Sequence, residues 1–226
     1  MRLTRALLAT LVGVGMLVVS ASPAQAVPLT VCNLGAWDGT TPVCAWGTCT
    51  TETYGEILPV PCGVCKASSV SFFIRNGSGG PQQFQAGVGK WCATNLHPVC
   101  FTFGPVATTS GSTSFQEVTE SLGCQPVTPG SEMVVFYTAT GICQTATTNA
   151  WGFEPGTGGC THGFVFSNCC CRSAAFSSPW DTALVSDQAA FSVTFDSPLS
   201  SAPEPPLGLL LGSFLGVGLL RKTFFA

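Results

Sequence analysis

The chain has 226 residues, of which 46% are hydrophobic, only 8% are charged and thirteen are cysteine. Arg2 and Arg5 lie at one end and Arg221 and Lys222 at the other, and residues 27–199 between them hold four cations, Lys66, Arg75, Lys90 and Arg172, against ten acids, a net charge of −6 for this central region. A surface so poor in Lys and Arg cannot neutralise a phosphate backbone, which excludes nucleic acid as a partner. Solubility must come from Ser, Thr, Gly, Gln and Asn, a composition suited to an aqueous or glycan-rich extracellular setting.

In chain order, the basic start is followed by an uncharged apolar run over residues 6–19, shorter than the roughly 20 residues that span a bilayer. The chain then turns small and polar and reaches Ala24-Gln25-Ala26, the small-x-small pattern that a signal peptidase accepts. Residues 1–26 therefore read as a signal peptide with a signal helix, cleaved before Val27. Residues 27–199 form one extracellular domain, long enough to bury a real core.

All thirteen cysteines follow the signal: Cys32, Cys44, Cys49, Cys62, Cys65, Cys92, Cys100, Cys124, Cys143, Cys160, Cys169, Cys170 and Cys171. Beside an export signal, such density predicts disulfides formed in an oxidising compartment. Each bridge contributes about 2–4 kcal/mol by restricting the unfolded chain. Thirteen is odd, so one thiol is left for an intermolecular bridge, a cap or a free state, and a disulfide-linked dimer is one outcome. Cys62-Gly63-Val64-Cys65 has redox or zinc spacing, but Pro59 and Pro61 precede it, a strand-like run follows, and no matching pair completes a zinc ribbon. Distant disulfide partners are the expected state, and no metal or cofactor is implied.

Residues 70–75 alternate, with Val70, Phe72 and Ile74 on one face. Asn76-Gly77 then reads as a turn requiring positive φ. Gly77-Ser78-Gly79-Gly80 superficially resembles a serine-protease nucleophile segment, but His97 and His162 both follow it, against the order that family needs. Asn76-Gly77-Ser78 is also a formal glycosylation acceptor in a eukaryotic host. Runs at 99–103, 133–138 and 163–167, aromatic or β-branched and bounded by turn residues, predict further strands. Residues 114–122 predict a helix, with Ser114 and Glu117 as a capping box and Phe115, Val118 and Leu122 on one face, and residues 182–190 a second helix. Phe191, Val193 and Phe195 alternate with Ser192, Thr194 and Asp196 as a last strand. The fold class expected is all-β, a mostly antiparallel sandwich or small barrel, disulfide-stapled, flanked by the signal helix and a C-terminal transmembrane helix.

Cys160 and His162 lie on one side of an extended segment but are more simply a bridged cysteine near an ordinary histidine. Cys169-Cys170-Cys171 point alternately to opposite faces and must bond to separate parts of the domain. No acid, base and nucleophile set emerges, so no catalytic residue is assigned. Trp37, Trp46, Trp91, Trp151 and Trp180 are either core or, where exposed, platforms for stacking on sugar rings.

Residues 200–226 end the chain. Pro203-Glu204-Pro205 leads into an apolar run over 206–220, followed by Arg221-Lys222. A helix of that length covers about 22 Å, less than the roughly 30 Å hydrocarbon core, and the basic pair places the domain outside the membrane. These residues resemble the PEP-CTERM sorting tail of Gram-negative bacteria. The resemblance covers the tail alone and implies processing by an exosortase-like enzyme, passage through the inner membrane, and delivery to a cell surface rich in exopolysaccharide, often in biofilms. The expected function is an exported, non-enzymatic surface or matrix protein associated with exopolysaccharide. The alternative is a secreted carbohydrate-binding, lectin-like module. Signal peptidase, the exosortase, the membrane before processing and polysaccharide are the expected partners.

Overall fold

The computed structural model describes residues 27–32, 34–35, 37–43, 51–76, 81–142, 149–154, 163–168, 172–182 and 186–196. Twelve strands and one short helix are found among them. They run β1 (Leu29–Cys32), β2 (Thr53–Pro59), β3 (Lys66–Asn76), β4 (Gln83–Cys92), β5 (His97–Thr108), β6 (Gln116–Pro126), β7 (Glu132–Thr138), β8 (Asn149–Trp151), β9 (Phe153–Glu154), β10 (Gly163–Ser167), α1 (Arg172–Ala175), β11 (Gln188–Ala189) and β12 (Phe191–Asp196). Every pairing is antiparallel.

Sheet 1 has the order β1-β12-β3-β6, with β8 continuing alongside the end of β3 beyond β12, and sheet 2 has the order β10-β2-β7-β4-β5. The two stack as a sandwich because period-2 alternation gives each an apolar inner face. Val70, Phe72, Ile74, Phe191, Val193 and Phe195 of sheet 1 are buried in one cluster with Tyr54, Leu58, Phe84, Val88, Val135 and Tyr137 of sheet 2. Rings cross the gap at Phe72–Tyr137 (5.2 Å) and Tyr54–Trp151 (6.4 Å). The inner face also takes in Glu56, whose Oε2 accepts the amide of Ala189 at 3.0 Å and so ties β2 to β11. A buried carboxylate is tolerated only with such donors.

The outer face of sheet 2 is apolar too. Ile57, Trp91, Val134, Phe136 and Val165 bury themselves beneath Ala175, Phe176 and Trp180 of the segment holding α1. Glycines open the space for those rings: a Cβ on Gly55 would stand 2.8 Å from Trp180 Cζ3, and one on Gly87 would fall inside the ring of Phe136. The Trp180 indole N–H donates to Ala175 O, satisfying the polar end of a buried ring.

The strands expected at 70–75, 99–103, 133–138, 163–167 and 191–196 are present within β3, β5, β7, β10 and β12. The helix expected at 114–122 is not formed, because those residues enter β6. Val118 and Leu122 point inward, Thr119 outward, and the Thr119 hydroxyl meets Ser71 Oγ at 2.7 Å. Long-range pairing with β3 overrides the local capping signal, helped by β-branched Val118 and Thr119. The helix expected at 182–190 is replaced by a turn and the two-residue β11, with 183–185 outside the described residues.

Cys32, Cys62, Cys65, Cys92, Cys100 and Cys124 carry free thiols, and no bridge joins two of them. The remaining cysteines, the signal helix with Ala24 and Ala26, and the tail with Pro203, Glu204, Pro205, Arg221 and Lys222 lie outside the described residues. Among the described residues no helix is long and apolar enough to cross a membrane.

Candidate functional site

The outer face of sheet 1 differs from that of sheet 2 among the described residues. Alternation turns Ser69, Ser71, Phe73 and Arg75 of β3 outward, and register aligns them with neighbours in rows across the sheet. One row reads Cys32, Ser192, Ser71, Thr119, and the next reads Thr30, Thr194, Ser69, Ser121. Seven hydroxyls and one thiol thus line four strands, spaced about 4.8 Å across the strands and roughly 6.7 Å from row to row. Cross-strand bonds hold part of the array, with Ser71 and Thr119 hydroxyls 2.7 Å apart and those of Thr30 and Thr194 3.5 Å apart.

An aromatic corner follows the rows along β3. Phe73 lies beside Gly152, whose amide donates to Phe73 O at 2.7 Å. Because Gly152 has no side chain, Trp37 packs directly on it; an added Cβ would meet Trp37 Cζ2 at 2.6 Å. Trp37 stands 5.3 Å from Phe73 and edge-on to Phe115 at 5.0 Å, and Arg75 Cζ lies 5.1 Å over the Phe115 ring. Trp37, Phe73, Phe115 and Arg75 are all half-buried.

The loop carrying Trp37 is fixed by its own polar groups. The indole N–H donates to Thr41 O at 3.0 Å. Asp38 accepts from the amides of Thr40 and Thr41, each at 2.7 Å, and from the Thr41 hydroxyl at 2.6 Å. Those bonds, the Thr41 hydroxyl foremost, hold the Asp38 carboxyl well below its ordinary range. Amides of Val43 and Phe153 then stitch the loop to the sheet through Trp151 O and Thr41 O, both at 2.9 Å.

The other tryptophans sort differently. Trp91, Trp151 and Trp180 are buried core rings, while Trp46 lies outside the described residues. Cys62 and Cys65 flank a turn in which Gly63 has φ +82°, and the Cys65 amide donates to Asp196 O at 3.3 Å, so the pair opens no helix. Asn76 is buried with Nδ2 donating to Ser110 O at 2.7 Å, which withdraws it as a glycosylation acceptor, and residues 77–80 lie outside the described residues. His97 Nδ1 sits 3.0 Å from Pro98 O, whereas His162, Cys160, Cys169, Cys170 and Cys171 lie outside the described residues. Among the described residues no group of three His, Cys, Asp or Glu side chains is placed to hold a metal ion.

A cavity of about 220 Å³ opens at the rim between β4, β5 and the segment after β6, lined by Lys90, Cys100, Thr102, Gln125, Glu132 and Met133. It is smaller than the roughly 300–1,000 Å³ of ordinary small-ligand pockets. Sequence reasoning singled out Trp37 only as one of five, and missed Phe73, Phe115 and Arg75. The available signal was an aromatic residue at an outward position of an otherwise clean alternation.

No family model matches the chain, and no curated protein matches it. The similar solved structures include two at low identity. One is the clostridial cysteine protease Cwp84 after propeptide cleavage, with 10% identity, a TM-score of 0.48, and coverage of 76% of this chain and 40% of that one. The other comprises the cysteine protease and lectin-like domains of Cwp84, a surface layer associated protein of Clostridium difficile, with 10% identity, a TM-score of 0.45, and coverage of 66% and 32%. This chain spans well under half of either, and a likeness so distant assigns no function.

Proposed function

We propose that this protein is an exported, non-catalytic component of an exopolysaccharide-bearing cell surface, and that it holds polysaccharide on the outer face of sheet 1. The observation that carries this reading is Trp37, a half-buried indole pinned on Gly152 beside two further rings and adjoining rows of hydroxyls. Sugars offer flat C–H faces to rings and hydroxyls to polar groups, and a preformed surface avoids the cost of ordering side chains on binding.

The layout of sheet 1 suits a tethered binder. Leu29 pairs with Phe195 and Asp196 with Lys66, so both ends of the domain leave from one end of the sheet. Arg75 lies nine residues farther along β3, about 30 Å away at strand rise. A tail resembling the PEP-CTERM type would keep the domain at the membrane before exosortase-like processing. Disulfides formed on export, with the seven remaining cysteines as partners for some of the six described thiols, would harden the domain in that setting.

The test is affinity electrophoresis of the exported protein in gels containing the producing cell's exopolysaccharide. Wild type is expected to be retarded, and Trp37→Ala to lose roughly thirtyfold in affinity, as for a central anchoring aromatic. Equal mobility of the two proteins with and without polysaccharide would remove the reading.

A further inference from the structure

Resting on that reading, we propose that the ligand is a neutral, extended glycan lying along β3, with its first sugar at Trp37 and successive sugars on the two hydroxyl rows. Charge is the first argument. Neither row contains an ionisable carboxylate or a cation. The nearest charges are Asp196, the next outward residue of β12 after Thr194 and the register partner of Lys66, then Glu117, which pairs with Phe73, and Asp38 in the Trp37 loop, while the guanidinium of Arg75 is already engaged by the ring of Phe115. A uronic-acid polymer would place repeated negative charge beside Asp38 and Glu117, on a domain whose central region carries −6. A neutral chain has no such penalty.

Spacing is the second argument. Outward positions Phe73, Ser71 and Ser69 follow one another along β3 in steps of about 6.7 Å. Ser71 itself is buried, so its row is offered by the exposed Thr119 and half-buried Ser192 on either side, and the aromatic corner and two rows give about three subsites in line. The rows continue sideways over β12, β1 and β6, giving each sugar hydroxyl partners on adjacent strands. The Ser71–Thr119 and Thr30–Thr194 contacts preset the hydroxyl directions, and the exposed Thr119 and Thr30 oxygens keep a lone pair for a ligand.

The test uses the full exported protein with a soluble neutral glucan, a neutral mannan, alginate as the acidic polymer, and gluco-oligosaccharides of increasing length. A neutral polymer should bind and alginate should not, with affinity rising over about the first three sugar units and then levelling. Thr119→Val and Thr194→Val preserve shape at an exposed and a half-buried position respectively. Each should lower polymer affinity roughly fivefold, the effect of one lost hydrogen bond, and leave the affinity for the shortest oligomer unchanged. Preference for alginate, affinity independent of length, or row variants that bind like wild type would overturn the inference. If Trp37→Ala alone abolishes binding in those cases, sugar binding at the corner survives and only the extended neutral chain falls. If the face instead joins two copies of the protein, sedimentation will show a dimer that Thr119→Val weakens, and both readings fall.

Discussion

The two outer faces of the sandwich are built from the same alternation and end in opposite states. On sheet 2 the outward positions include Gly55, Gly87 and Gly89, which leave room for Trp180, Phe136 and Phe101 respectively, and the chain returns through α1 to lay Phe176 and Trp180 over the sheet as a second core. On sheet 1 they are mostly Ser and Thr, with Phe73 and Arg75 toward one end and Lys66 and Asp196 toward the other, and among the described residues only the loop of Trp37 comes back over the sheet, at one corner. Glycine makes room that an aromatic ring fills, whereas a hydroxyl already bonded to its neighbour offers an apolar cover little to gain. One face is thereby committed to stability, and the other, on the proposed reading, to a ligand.

The strongest way to break that contrast is to remove the cover on sheet 2. Trp180→Ala should cost about 3–5 kcal/mol, as for a buried aromatic, with no change in the affinity of the folded fraction for polysaccharide. Denaturant unfolding measures the first part and affinity electrophoresis the second. Gly87→Ala should cost roughly 1–3 kcal/mol by forcing the Phe136 ring aside, and is read the same way. A loss of sugar affinity in either folded variant would show that the faces are not independent.

Smaller effects sharpen the corner of sheet 1. The folded-state pKa of Asp38 lies below its ordinary value of 3.8, so its bonds to the 38–41 loop stabilise the fold above that value and are lost as pH falls below it toward the folded-state value. The Asp38 contribution to folding stability should therefore be flat from neutral pH down to about 4 and decline below, and Asp38→Asn should remove that part of the decline, read by denaturant unfolding across pH. At the low end of the scale, Thr119→Val should change stability by less than about 0.5 kcal/mol, as befits an exposed position, in contrast with Gly87→Ala on the other side of the molecule.

The inner face of sheet 1 was legible from residues alone, since Val70, Phe72 and Ile74 and then Phe191, Val193 and Phe195 alternate with polar neighbours. Strand β2 was not, because it is buried on both faces and reads Thr-Tyr-Gly-Glu-Ile-Leu-Pro, with a buried glutamate and a glycine where alternation would be sought. Strand β6 was misread because Ser114 and Glu117 mimic a helix start, and only pairing with β3 settles the matter. Trp37 was visible as a residue but not as a site. Its ring finds Phe73, Phe115 and Gly152 through contacts separated by 36 to 115 positions in the chain, which no local pattern encodes.

The claim that the open face of sheet 1 holds the glycan is tested most directly by hydroxyl-radical footprinting of the exported protein with and without neutral polysaccharide, read residue by residue by mass spectrometry. Protection should concentrate at Trp37, Phe73 and Phe115, with Phe101 and Phe103 on the opposite sheet labelled equally in both states. Unchanged labelling of Trp37 under saturating polysaccharide, or protection centred on Phe101 and Phe103, would contradict the account.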